Sequence, residues 1–168
     1  LLKQGECFVD LGCGVGDYSI MASELVGNTG SVVALDRATE ALGILSEKAS
    51  SLRRQNICTY TCDITKPLPL RSNTADVVLM ATVLHMMRSQ QISPLTIFHE
   101  IHRILRSDGR FAVLECIKKD MPFGPPKHAR YSQEELETII KPCGFTVRKI
   151  VDFEYNYLIL FDKSASEI

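Results

Sequence analysis

The stretch Cys7-Phe8-Val9-Asp10-Leu11-Gly12-Cys13-Gly14-Val15-Gly16, running on into Asp17-Tyr18, decides how the rest of the chain reads. A short apolar run, Cys7 to Leu11, has the length of a buried strand, and a helical pattern follows from Asp17 to Val26. Between them stand three glycines at alternate positions. Glycine lets the backbone turn tightly and lets a ligand approach the chain closely. The first turn of a following helix presents unpaired N–H groups to that ligand. Strand, glycine turn and helix in that order open an α/β unit.

The same alternation continues outward. Asn28-Thr29-Gly30 closes the first helical region, and Ser31 to Leu35 is a second strand with Asp36 at its end. Leu42, Leu45, Ala49 and Leu52 then recur at helical spacing. Ile57 to Thr61 and Ala75 to Met80 read as the third and fourth strands. Ser93 and Pro94 suit the N-cap and first position of a helix whose apolar face is Leu95, Phe98, Ile101 and Leu105. Ser107-Asp108-Gly109 stops that helix before a fifth strand, Phe111 to Cys116. Ser132 and Glu135 form a capping box for a helix that Pro142 and Gly144 end. Phe145 to Val151 and Tyr155 to Phe161 are separated too briefly for a parallel return, so they predict an antiparallel hairpin. The expected fold is one α/β domain over residues 1–168, a mostly parallel sheet with helices on both faces.

A chain of 168 residues suits one domain; at that size roughly 70% of the unfolded surface is buried. A net charge of −1 offers no global field toward nucleic acid or an anionic membrane. No apolar run approaches the ~20 residues of a membrane span. Leu1 to Gly5 shows neither a secretory-signal pattern nor an initiator Met. The six cysteines, Cys7, Cys13, Cys58, Cys62, Cys116 and Cys143, contain no CxxC pair. They read as reduced, buried thiols of a cytoplasmic protein, with no metal site expected.

The glycine spacing is GxGxG, and Asp17 stands where a dinucleotide motif needs its third glycine. An acid there repels a pyrophosphate but suits a cofactor carrying a sulfonium and an ammonium group. Asp10 adds a second acid on the same side. Asp36 is placed to accept hydrogen bonds from both hydroxyls of a ribose, a feature shared by NAD and S-adenosylmethionine. Arg37 is a candidate to stack over adenine or a solvated surface residue. An NAD-dependent oxidoreductase is the competing reading; against it, no tyrosine has a lysine four residues later.

From these residues the chain resembles the class I S-adenosylmethionine-dependent methyltransferases. Val9 to Gly16 is similar to the family's first motif, and Asp36 to its ribose-binding acid. Cys62-Asp63-Ile64 matches the segment in which an acid receives the adenine amino group and an apolar residue packs on the ring. Ala75-Asp76-Val77-Val78-Leu79-Met80-Ala81 matches the fourth-strand motif, and Leu105 to Phe111 the turn into the fifth strand. The resemblance is nearest to the ubiquinone/menaquinone-biosynthesis-type (methyltransferase type 11-like) branch. It implies a Rossmann-like, doubly wound seven-stranded sheet of order 3-2-1-4-5-7-6 with strand 7 antiparallel. It also implies S-adenosylmethionine as cofactor, S-adenosylhomocysteine as product and a small-molecule methyl acceptor. The implied cofactor-binding set is Asp10, Gly12, Cys13, Gly14, Gly16, Tyr18, Asp36, Arg37, Cys62, Asp63, Ile64 and Ala81.

On the substrate side, ligands of open α/β sheets sit beyond the carboxyl ends of the strands. His85 is the candidate catalytic base there, with a hydrogen-bonded structural histidine as the alternative. Met86 and Met87 suit an apolar wall or core filling. Lys118 to Tyr131 reads either as a cationic lid for an anionic acceptor or as a solvated loop. Only about six residues precede Cys7, where the family usually carries pocket-closing helices. Little or no N-terminal lid is therefore expected, leaving an open pocket, a large substrate or a second subunit of a homodimer as cover. A non-catalytic cofactor-binding module that serves a partner is the third reading.

Overall fold

The computed structural model describes residues 2–164; Leu1 and residues 165–168, at the ends of the expected domain, lie outside the described residues. Seven strands form one sheet: β1 (Cys7–Leu11), β2 (Ser31–Asp36), β3 (Ile57–Thr61), β4 (Ala75–Ala81), β5 (Leu105–Cys116), β6 (Phe145–Asp152) and β7 (Asn156–Lys163). Their order is β3-β2-β1-β4-β5-β7-β6, and β7 runs antiparallel to both β5 and β6. Five helices accompany them: α1 (Asp17–Val26), α2 (Thr39–Ser51), α3 (Leu84–Ser89), α4 (Leu95–Ile104) and α5 (Gln133–Ile140). None is long and apolar enough to cross a membrane.

Successive residues of the central strands feed opposite layers, as a two-residue period demands. Phe8, Val77, Leu79 and Ala112 pack with Ala22 and Val26 of α1. Val9, Val78, Met80 and Phe111 face Phe98 and Ile101 of α4 and Leu136 and Ile140 of α5. Burial on both faces explains why β4 reads as an unbroken apolar run. The chain leaves β1 for β2 on one side and returns to β4 on the other. This reversal opens a crevice at the carboxyl ends of β1 and β4.

Several local expectations shift. The apolar face of α4 is Ile97, Phe98, Ile101 and Ile104, while Leu95 is exposed. Pro94 occupies the N-cap itself, and the Leu95 N–H reaches Ser93 Oγ only at 3.4 Å. Leu105 is strand rather than helix, because Asn73 and Thr74 N–H groups take the carbonyls of Arg103 and Ile104 and Leu105 pairs with Ala75. Ser107-Asp108-Gly109 then lies within an irregularity of β5, between the pairs Ala75–Leu105 and Val77–Arg110. Leu52 sits past the end of α2 and is exposed. Of the six cysteines only Cys143 is buried, and Cys58 is exposed. The capping box is present: Ser132 accepts from the Glu135 N–H while the Glu135 carboxylate accepts from the Ser132 N–H.

Candidate functional site

The glycine turn is folded over the end of β2. Gly12 and Cys13 N–H groups both donate to the Leu35 carbonyl, at 2.8 and 3.1 Å. The Gly14 N–H donates to Asp36 Oδ2 at 2.8 Å, and the Ala38 N–H to Asp36 Oδ1 at 2.9 Å. Each carboxylate oxygen accepts a further bond, so Asp36 braces the turn and still presents acceptors. Gly12, Gly14 and Gly16 have φ of 74°, 53° and 79°, the region glycine occupies without strain. A side chain at Gly12 would strike Val83, and one at Gly16 would strike Leu45. At Gly14 it would project into open space, so glycine there keeps the approach to the turn clear.

Beyond the tips of β1 to β4 lies a cleft partly open to solvent. Gly12, Asp36, Arg37, Cys62, Asp63 and Ile64 line it, bringing together half of the expected binding set. Val83, Met86, Met87 and Ile92 supply an apolar wall, with Gln90 and Thr65 beside it. Asp63 does two things: Oδ1 accepts from the Thr65 N–H and hydroxyl at 2.9 and 2.8 Å, and the residue faces the cavity. Those bonds hold its carboxyl below the usual carboxylate range.

Gly14 and Gly16 belong to the turn itself, while Asp10, Cys13, Tyr18, Ala81 and the candidate base His85 are not among the residues lining the cleft. Asp10 is 1% exposed beneath the turn and accepts the Ser19 hydroxyl at 2.6 Å. Burial pushes its carboxyl up to about 6, with the Asp36 charge adding to the effect. Cys13 is half-buried; burial, then the charges of Asp10 and Asp36, push its thiol up to about 12, so it is no nucleophile. Ala81, the last residue of β4, packs in the α1 layer. Tyr18 lines a separate, open apolar groove with Leu79, Leu114, Tyr155 and Leu158. Asp17, largely exposed, pairs with Lys48 of α2 at 2.8 Å and is not among the residues lining the cleft.

The segment Thr82 to Met87, expected at the strand tips, and Glu115, which sequence reading missed, stand at the ends of β4 and β5. Thr82, at the tip of β4, has φ of 55°, a strained value for a β-branched residue that costs about 1–3 kcal/mol. Its N–H is held by the Leu114 carbonyl at 2.7 Å. Glu115, wholly buried at the end of β5, lies with Oε2 3.1 Å from His85 Nδ1. An isolated acid in the apolar run Phe111-Ala112-Val113-Leu114-Glu115 was the available signal. The 118–131 loop keeps few free cations. Arg130, 1% exposed, donates to the carbonyls of Ile117, Lys119, Phe123 and Pro125. Lys118 pairs with Glu135 and Lys127 with Asp120. Three of the four loop cations thus shape the loop, and the cationic-lid reading loses its main support.

A family model described as a methyltransferase domain matches residues 2–155. A demethylmenaquinone methyltransferase of Lactococcus lactis subsp. lactis is 31% identical over 97% of this chain and 60% of its own length. A 2-phytyl-1,4-naphtoquinone methyltransferase of Synechococcus elongatus is 24% identical over 91% of this chain and 62% of its own. The chain spans about half to three fifths of the length of the curated relatives it matches. The crystal structure of a SAM-dependent methyltransferase from Aquifex aeolicus superposes with a TM-score of 0.88 at 28% identity, covering 97% of this chain and 85% of that one.

Proposed function

The chain belongs to the methyltransferase-domain family, and from that premise we propose that it transfers a methyl group from S-adenosylmethionine to a small-molecule acceptor. The observation that carries this reading is the crevice in which Asp36 and Asp63 meet the apolar wall of Ile64, Met86, Met87 and Ile92 beside the glycine turn. The residues fit the cofactor. Asp36 keeps an acceptor site on each oxygen for the ribose hydroxyls. Asp63 Oδ2, free of the Thr65 turn, suits the adenine amino group, and Ile64 suits the ring. The open space over Gly14 admits the amino-acid end. Bound there, the cofactor supplies a methyl group on a positively charged sulfur.

The protein's own contribution is then alignment and exclusion of water. Val83, Met86 and Met87 form the dry side of the crevice. His85, on the same short helix, is the group that takes a proton where the acceptor must lose one. The relatives named for demethylmenaquinone and 2-phytyl-1,4-naphtoquinone support a quinone-related acceptor.

Isothermal calorimetry with S-adenosylmethionine, S-adenosylhomocysteine and NAD tests the reading. Binding of the first two and none of NAD is expected; NAD binding alone would sink it. Transfer of a labelled methyl group to a short-tailed demethylmenaquinol then tests the acceptor class. Tight cofactor binding with no transfer to any quinol of a panel overturns the quinone-related acceptor.

A further inference from the structure

Glu115 presents a physical problem that its surroundings resolve in one specific way. Its carboxylate is 0% exposed, and among the described residues its one ion-pair partner is His85. A buried carboxylate is tolerated only when donors satisfy it. Oε1 accepts from the Leu84 N–H at 2.8 Å and, more weakly, from the His85 N–H at 3.4 Å. Oε2 lies 3.1 Å from His85 Nδ1.

The neighbours offer Glu115 no competing cation. Arg88 and Lys118 are both engaged by Glu135, and Arg130 by backbone carbonyls. The Tyr157 hydroxyl donates to the Tyr131 carbonyl; burial first, and the charge of Glu115 after it, raise both phenols and the Cys116 thiol, so none of them is a competing anion. An ionised carboxylate can only accept, so its contact to His85 is met by donation from Nδ1.

We infer that Glu115 is a positioning residue that fixes His85 as the Nδ1–H tautomer, leaving Nε2 as the basic nitrogen. The geometry is that of a carboxylate orienting an imidazole base. Its catalytic meaning rests on the methyltransferase reading above. When an acceptor O–H, N–H or C–H bond breaks, its proton passes to Nε2. The acceptor's electron pair forms the new bond to the methyl carbon, and the pair of the broken C–S bond stays on sulfur. Oε1 meanwhile anchors the start of α3, so the base and the apolar wall of Met86 and Met87 are set by one side chain.

Nitrogen-15 spectra of histidine-labelled protein test this without any ligand. The chain has four histidines, and His85→Gln assigns the signal. At a pH where the ring is neutral, His85 is expected as Nδ1–H. Glu115→Gln keeps an oxygen for the Leu84 N–H but turns an amide NH₂ toward Nδ1. It should abolish the Nδ1–H form and produce Nε2–H, while the other three histidines stay as they were. An Nε2–H tautomer in the parent protein, or a tautomer indifferent to Glu115→Gln, overturns the inference and returns Glu115 to a mere anchor of α3. Should that variant fail to fold, the parent tautomer alone decides. Calorimetry with S-adenosylmethionine separates the two claims: lost binding defeats the methyltransferase reading and leaves the tautomer result standing.

Discussion

Asp10, in β1, and Asp36, at the end of the neighbouring β2, do opposite physical work. Asp36 is bonded to two backbone N–H groups and faces the crevice, whereas Asp10 is buried under it. Asp36→Ala should weaken S-adenosylmethionine binding roughly 10- to 150-fold, the equivalent of about 1.5–3 kcal/mol for bonds to a charged group. Calorimetry checks it, and unchanged affinity removes Asp36 from the site. Asp10 has its folded value raised from 3.8 to about 6, chiefly by burial. Between those values the native state holds more protons than the unfolded chain, so stability falls as pH rises through that window, by at most about 3 kcal/mol. Asp10→Asn keeps an oxygen for the Ser19 hydroxyl and should flatten that fall. Urea unfolding from about pH 4 to about pH 8 would show the variant matching the parent at the acid end and exceeding it above about pH 6.

At the scale of elements, α5 is fastened by its first turn. Glu135 completes the capping box with Ser132 and also binds Arg88 of α3 and Lys118. Ser132→Ala should cost about 1 kcal/mol in urea unfolding. Glu135→Gln should cost more, since it also releases Arg88 and Lys118, although their partial exposure and salt screening limit the gain. Hydrogen bonds from Arg88 hold the Glu135 carboxyl down to about 2. A depressed value contributes stability above the unfolded carboxylate range that is lost as pH falls toward about 2, so the deficit of Glu135→Gln should shrink over that interval. The capping box was legible because its two residues are three apart and act locally. The face of α4 was misread because its start depends on Pro94 and its end on the pairing of Leu105 with Ala75, a contact between residues far apart in the chain.

At the scale of the whole molecule, protection should follow position in the sheet. β4 lies at the centre and is buried along nearly its whole length, whereas β6 is an edge strand with Arg148, Lys149 and Ile150 exposed. Hydrogen–deuterium exchange should find peptides of β4 protected longest and those of β6 exchanging first among the strands. The reverse order would mean that the sheet is not the cooperative core described here. The strand order and antiparallel β7 follow the arrangement implied by the family resemblance, and alternating strand and helix patterns alone already indicated the layers.

The sequence by itself determined the α/β alternation, the glycine turn after β1, the acid at the tip of β2 and the hairpin at the end, because each is written in residues close together in the chain. Only the tertiary structure decided which side chains share a space. It put Asp63 in the crevice, drew Asp10 beneath it, turned Asp17 to Lys48, spent Arg130 on its own loop and set Glu115 behind His85. Propensity and spacing act over a few residues. Burial and charge pairing are settled between strands that sequence separates by tens of residues and the sheet brings side by side.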